Sequence, residues 1–156
     1  MPRWLSEGIS VYEERQAKPS WGQRMNPSYR AMILGKDLTP ISKLSGAFMS
    51  PESQLDLQFA YYQSSLVVEH IIERFGTEAI GNILKELGQG TEINTAIAKH
   101  TEPMEKLESA FKTYAHKKAN ATGPKLDWTQ PDPETLKAGI EQFAKKHPKN
   151  YYLLVR

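Results

Sequence analysis

The chain has 156 residues, of which 39% are hydrophobic and 24% are charged, and its formal net charge is +2. This length allows one domain, or one domain and part of another, with a sizeable core. The small net charge does not indicate nucleic-acid binding, and no apolar run approaches the roughly 18 residues of a membrane span. The absence of cysteine excludes a disulfide framework and thiolate metal sites.

The first predicted element is a helix over the first dozen residues. At about 100° per residue, Glu7 has Trp4 one turn before it and Val11 one turn after it. Glu7 therefore lies on or beside the apolar side, where a carboxylate is costly unless a positive group meets it. One interpretation is a glutamate at the helix edge that pairs with Arg3 or Arg15.

The same stretch resembles part of a known class of peptidases. The residues Trp4-Leu5-Ser6-Glu7-Gly8, followed by Tyr12, are similar to the Trp-Leu-x-Glu-Gly-x-x-x-Tyr segment of gluzincin zinc peptidases, most closely the peptidase MA-like families. This resemblance implies that Glu7 is the third zinc ligand. The first two ligands in the family are the histidines of an H-E-x-x-H helix, whose glutamate is the general base.

That H-E-x-x-H helix is not found in this sequence. Only three residues precede Trp4, and no two of the four histidines are spaced i, i+4; these are His70, His100, His116 and His147. We therefore expect the sequence to be a truncated, downstream part of a peptidase-like domain. The upstream H-E-x-x-H segment of the same protein would then be its partner in the site.

A proline- and glycine-containing stretch follows, from about Gln16 to Ser50. One interpretation is a long irregular segment that borders the substrate cleft. The alternative is a short helix over Ser28 to Leu34 and a packed turn over Leu38 to Leu44.

Ser50-Pro51 predicts the start of a long helix, with serine as N-cap and proline at the first helical position. Gly76 predicts its end after Phe75. On a helical wheel Tyr61 falls within the apolar arc, so it is predicted to face inward. Tyr62 falls on the opposite side with Glu69, so both are predicted to face outward.

The stretch around these tyrosines also resembles the peptidase MA-like pattern. The similar residues run from Ala60 to Val68, and the resemblance implies that Tyr61 is catalytic and hydrogen-bonds the tetrahedral oxyanion. Tyr62 takes that role if the correspondence slips by one residue. The other interpretation is that Tyr61 is a core residue whose hydroxyl reaches a backbone carbonyl.

The rest of the chain is predicted to be helical, with a change in character near residue 120. Three further helices have apolar residues at helical spacing and are predicted to be packing elements: one that Thr77 caps and Gly88 ends, one over roughly 92–99, and one that Thr101 caps. The resemblance covers about residues 2 to 115. Residues 120–131 read as a linker, and Asp132-Pro133 begins one more full helix that ends at His147. The turn and aromatic segment that follow resemble the junction within a tetratricopeptide repeat.

Together these patterns predict an all-α fold without a sheet. Residues 1–119 would be the C-terminal helical part of a peptidase MA-like domain, and 120–156 a linker, a helix and a tetratricopeptide-like start. The intact protein would be a zinc-dependent peptidase acting on peptides or proteins, with Glu7 as metal ligand and Tyr61 as catalytic residue. We expect the isolated chain to bind no zinc tightly and to cleave no peptide, because one carboxylate is too few ligands. The alternative is a non-catalytic helical scaffold that binds other proteins.

Overall fold

The structure is a computed structural model that describes residues 1–155. The predicted all-α fold is confirmed, because the regular structure of these residues is helical and contains no strand. The helices are α1 (Arg3–Ala17), α2 (Pro27–Leu34), α3 (Leu44–Met49), α4 (Gln54–Phe75), α5 (Thr77–Gly88), α6 (Ile93–His100), α7 (Met104–Ala121), α8 (Pro133–Ala138), α9 (Ile140–Lys146) and α10 (Tyr151–Leu154), with a 3₁₀ helix at Ile41–Lys43. No helix within the described range is both long and apolar enough to cross a membrane.

The chain divides into two compact units, Met1–Ala119 and the residues from Asn120 onward. In the first unit α4 is the central helix, and α1, α3 and α5 pack against it. Aromatic residues of α7 also contact it, since the ring of His70 lies 5.8 Å from that of Phe111. Every residue from Tyr62 to Ile71 is buried, so this part of α4 has no face toward solvent.

This central position corrects the predicted orientation of the two tyrosines. Tyr62 is only 3% exposed and stacks on Tyr29 with ring centroids 4.8 Å apart, whereas Tyr61 is partly exposed. Glu69, also predicted to face outward, is buried as well. The helical wheel assumed a single apolar arc, and that assumption fails for a helix that neighbours cover on several sides.

The first helix lies very close to α4. Trp4 and Leu5 are buried in the core, and a Cβ added to Gly8 would stand 2.7 Å from the carbonyl oxygen of Ser64. Glycine therefore permits a backbone-to-backbone approach that any larger residue would block. The approach fixes where the residues beside Gly8 lie relative to α4.

Several predicted helix boundaries are corrected by the capping geometry. α4 begins at Gln54 rather than at Pro51, because the side chain of Ser53 accepts a hydrogen bond from the Asp56 amide at 3.1 Å. Thr77 is the first residue of α5, and its N-cap is Gly76, whose φ of +83° favours glycine. Between Gln16 and Ser50 the alternative with a short helix and a turn is right, and α3 adds a helix that the sequence did not predict.

The second unit is built around a buried asparagine. Asn150 is fully buried; its side chain donates to the Thr129 carbonyl at 2.7 Å and accepts from the Tyr152 amide at 3.0 Å, which caps α10. Trp128 stacks on Tyr151 with centroids 4.7 Å apart. The predicted single helix after Asp132 is two helices, α8 and α9, because the chain leaves helical geometry at Gly139.

Candidate functional site

Glu7 lies on the side of α1 that borders α4 without entering the core. Its side chain is 35% exposed, and its Oε1 atom lies 3.8 Å from Nε of Arg3. The sequence allowed Glu7 to pair with Arg3 or with Arg15. The structure has the pair with Arg3, and Arg15 forms an ion pair with Glu69 instead. A separation of 3.8 Å is an ion pair but is too long for a hydrogen bond, so the carboxylate is held only loosely.

Tyr61 meets the same arginine from α4. Its hydroxyl oxygen accepts a hydrogen bond from Nη2 of Arg3 at 2.8 Å. Its ring packs edge-on against Phe48 with centroids 5.0 Å apart, and the Arg3 guanidinium lies 5.6 Å from the Phe48 ring centre. The structure thus brings Glu7 and Tyr61 to one guanidinium; we call Arg3, Glu7, Phe48 and Tyr61 the Arg3 site.

The Arg3 site combines an accessible carboxylate, a phenol and a cation. The phenol oxygen accepts from Arg3, so the hydroxyl hydrogen of Tyr61 can still be donated to another group. A carboxylate oxygen of Glu7 is a suitable ligand for a metal ion. Across residues 1–155 there is no group of three or more His, Cys, Asp or Glu side chains that could hold a metal by itself.

A second polar cluster, which the sequence did not predict, is centred on buried Glu69. Its Oε2 accepts from Nη2 of Arg15 at 2.7 Å, and its Oε1 accepts from the hydroxyl of Tyr114 at 2.7 Å and from Nζ of Lys118. The same Arg15 donates to Oγ of Ser65 at 3.0 Å. The cluster joins α1, α4 and α7. The one sequence feature that indicated a buried polar cluster was the polar run Gln63-Ser64-Ser65 inside an otherwise apolar helix.

Glu69 is the shared counter-charge of Arg15 and Lys118 in this cluster. Burial acts to raise the pKa of Glu69, but hydrogen bonds from Lys118, Tyr114 and Arg15 outweigh it and hold the pKa below its usual value. Burial, together with the neighbouring Glu69 carboxylate, raises the pKa of the Tyr114 hydroxyl. Glu69 is therefore ionised at neutral pH, and we assign the cluster to holding α1 in place rather than to proton transfer.

His70 follows Glu69 on α4 and is buried against aromatic rings. It is 3% exposed, its ring lies 4.8 Å from that of Tyr114, and its Nε2 has no hydrogen-bond partner among the described residues. Burial, and then the charge of Arg74, lowers the pKa of His70 to about 4. A neutral, enclosed imidazole of this kind is a packing residue.

Comparison of the chain with protein-family models, with curated proteins and with solved structures found no match. The resemblance to gluzincin peptidases therefore rests only on the residues Trp4 to Gly8, Tyr12 and the stretch around Tyr61. The roles of Glu7 as zinc ligand and of Tyr61 as catalytic residue stay predictions. The geometry of the Arg3 site bears on both. The two side chains lie on different helices and share one partner.

Proposed function

We propose that this chain is part of a gluzincin-type zinc peptidase, in which Glu7 is the third metal ligand and Tyr61 a catalytic hydrogen-bond donor. The observation that carries the proposal is the convergence of both side chains on the guanidinium of Arg3. Residues that serve one reacting centre must lie close together, and these two come from separate helices. In this proposal the two histidine ligands and the general base come from an H-E-x-x-H segment upstream of Trp4.

The residues of the Arg3 site fit a metal ligand set in part. The carboxylate of Glu7 is accessible, and it has an ion pair but no hydrogen bond with Arg3. Carboxylate oxygens are regular ligands of zinc alongside histidine nitrogens. When bound, zinc would supply Lewis-acid polarisation of a peptide carbonyl and activation of a water molecule.

The chain's own residues would position the ligand and stabilise charge. The close contact of Gly8 with Ser64 fixes α1 against α4, and therefore fixes Glu7 relative to Tyr61. The hydrogen bond from Arg3 to the Tyr61 oxygen polarises the phenol, which makes its hydroxyl a stronger donor. The edge contact with Phe48 restricts the Tyr61 ring. A phenol held in this way suits donation to the oxyanion that develops during attack on a peptide bond.

The test uses a protein extended upstream to include the H-E-x-x-H segment that the proposal requires. Glu7→Gln is expected to lower bound zinc while helicity and melting temperature stay nearly unchanged, because the side chain is partly exposed. Tyr61→Phe is expected to keep zinc and to lower kcat by about 100- to 1000-fold, the range for loss of one oxyanion donor. Zinc content by atomic absorption and peptidase rate are both measured.

Tyr62→Phe is the matched control on the same helix. The Tyr62 hydroxyl makes only a weak hydrogen bond, to Sδ of Met25 at 3.8 Å, so its removal is expected to leave zinc content and rate nearly unchanged. Full activity in Glu7→Gln would remove Glu7 as a ligand. A larger loss for Tyr62→Phe than for Tyr61→Phe would remove Tyr61 as the catalytic tyrosine.

The isolated 156-residue chain gives a second test. We expect it to retain no stoichiometric zinc after dialysis against a chelator and to cleave no peptide, because Glu7 alone is too few ligands. Zinc retained at one equivalent would contradict the proposed division of the site. An extended protein that lacks H-E-x-x-H, or has it and neither binds zinc nor cleaves peptides, would favour the non-catalytic scaffold.

A further inference from the structure

A cleft of about 480 Å³ lies in the first unit, between the segment that follows α2 and the middle of α7. Its apolar lining comes from Ile33, Leu38, Ile41 and Phe111. Sites for small molecules span roughly 300–1,000 Å³ and are mostly apolar with a few well-placed polar groups. None of the residues of the Arg3 site lines this cleft, so it is a separate feature.

The polar groups of the cleft favour an anion. The lysines Lys36 and Lys112 line it, and neither has an ion-pair or hydrogen-bond partner within residues 1–155. The one carboxylate, that of Glu108, already accepts from the amide and the hydroxyl of Ser42 at 2.9 and 2.6 Å. Two lysines against one glutamate leave the lining with a single net positive charge.

A histidine adds a polar atom without a partner. His116 lines the same cleft, and its Nε2 is buried with no hydrogen-bond partner in the part of the chain that the structure describes. A buried polar atom of this kind costs free energy until a partner is supplied. A ligand carboxylate that displaced the surrounding side chains slightly would supply one.

We propose that this cleft binds a small amphipathic monocarboxylic acid, with its apolar body against Phe111 and its carboxylate between Lys36 and Lys112. The single net positive charge of the lining matches one carboxylate, and the apolar lining matches an aliphatic or aromatic body. The proposal does not depend on the peptidase assignment, because it uses neither Glu7 nor Tyr61.

The test titrates the whole chain, at low salt, with three probes that separate head from tail. Octanoate carries both parts, octan-1-ol carries the tail without the charge, and acetate carries the charge without the tail. Octanoate is expected to bind at least about tenfold more tightly than either of the others, because it alone satisfies both parts of the lining. Amide chemical shifts of Gly35, Lys36, Ser109 and Lys112 should move with the same saturation curve.

Variants at exposed lysines test the charge without risk to the fold. Lys112→Gln is expected to weaken octanoate binding about fivefold, and Lys36→Gln with Lys112→Gln at least about tenfold, since each removes one charge from a partly apolar site. Lys85→Gln on α5, an exposed lysine outside the cleft, is the matched control and should change binding less than about twofold. His116→Phe should weaken octanoate binding and leave octan-1-ol binding unaffected.

Three results would overturn the proposal. One is that octanoate shows no saturable binding at concentrations up to about 10 mM, because a Kd above that value corresponds to less than about 3 kcal/mol of binding free energy. A second is equal binding of octanoate and octan-1-ol, which would make the cleft a non-selective apolar surface. The third is tighter binding of a short peptide with a C-terminal leucine, which would assign the cleft to peptide ends instead of free acids.

Discussion

Gly8 and Ser64 are in such close contact that α1 and α4 touch through their backbones. A Cβ on Gly8 would stand 2.7 Å from the Ser64 carbonyl oxygen and 2.8 Å from its carbonyl carbon. Ser64 is itself fully buried, and its hydroxyl donates to the Ala60 carbonyl at 2.7 Å. Because backbone atoms in the centre of a long helix cannot move aside cheaply, the glycine sets the distance between α1, which carries Arg3 and Glu7, and α4, which carries Tyr61.

Gly8→Ala is therefore expected to destabilise the chain although alanine is the better helix former. The overpacking costs about 1–3 kcal/mol, which outweighs a gain in helix propensity of about 1 kcal/mol, so we expect a net loss of up to about 2 kcal/mol. Gly81→Ala on α5 is the matched control, because a Cβ added to Gly81 would have no atom within 4 Å, and it should stabilise the chain by about 0.5–1 kcal/mol. Urea unfolding followed by circular dichroism measures both; stabilisation by both variants would show that the contact is not tight.

The buried carboxylate of Glu69 gives a second prediction. Glu69→Gln removes the charge that Arg15 and Lys118 share, so two cations lose their counter-charge in a buried site. The expected loss in the free energy of unfolding is about 2–4 kcal/mol at pH 7. Glu14→Gln, on the exposed side of α1, should cost less than about 0.5 kcal/mol. A loss at Glu69 no larger than at Glu14 would contradict the assignment of this cluster to holding α1.

The contribution of Glu69 to the free energy of unfolding should decrease as the pH is lowered. The folded-state pKa of Glu69 is below its unfolded value, so its contribution is fully present above the unfolded pKa. The contribution is lost as the pH falls through the folded-state pKa. The wild-type chain should therefore lose more stability below about pH 4 than Glu69→Gln does. Parallel curves for the two proteins in that range would contradict the lowered pKa.

The buried His70 should make the stability of the chain depend on pH in a different range. Its folded-state pKa is about 4, below the ordinary value of 6.5, so the unfolded chain binds the extra proton between these two pH values. Stability is then fully present above about pH 6.5 and falls as the pH drops toward 4, by about 2–3 kcal/mol in all. His70→Leu should flatten the curve in this window. An unchanged slope between these two pH values would show that His70 is not held neutral.

Much of the fold follows from the spacing of apolar residues. The helices from Arg3, from Thr77 and from Ile93 each present one apolar side to one core, which is the situation that a helical period describes. α4 differs because α1, α3 and α5 cover it from several directions, and α7 residues also contact it. A wheel with a single apolar arc cannot represent that environment, and for this reason the predicted outward orientation of Glu69 and Tyr62 is wrong.

The candidate site was only partly accessible to sequence reasoning. The pairing of Arg3 with Glu7 follows from their i, i+4 spacing on one helix. The contact of Arg3 with Tyr61 joins residues that are distant in sequence, and it depends on how closely Gly8 lets α1 approach α4. The cleft beside Lys36 and Lys112 likewise depends on tertiary packing, because no local pattern links the segment after α2 to α7.

The corrected orientation of the two tyrosines gives the last prediction, which compares their leucine variants. Tyr62 is 3% exposed and stacks on Tyr29 at an interplanar angle of 15°, so Tyr62→Leu loses a ring contact and leaves a cavity. We expect a loss of about 2–4 kcal/mol in the free energy of unfolding. Tyr61→Leu loses an edge contact with Phe48 and an exposed hydrogen bond to Arg3, which together contribute about 1 kcal/mol. Urea unfolding of both variants decides between the two orientations: a larger loss for Tyr61→Leu than for Tyr62→Leu would make Tyr61 the core residue, as the helical wheel indicated.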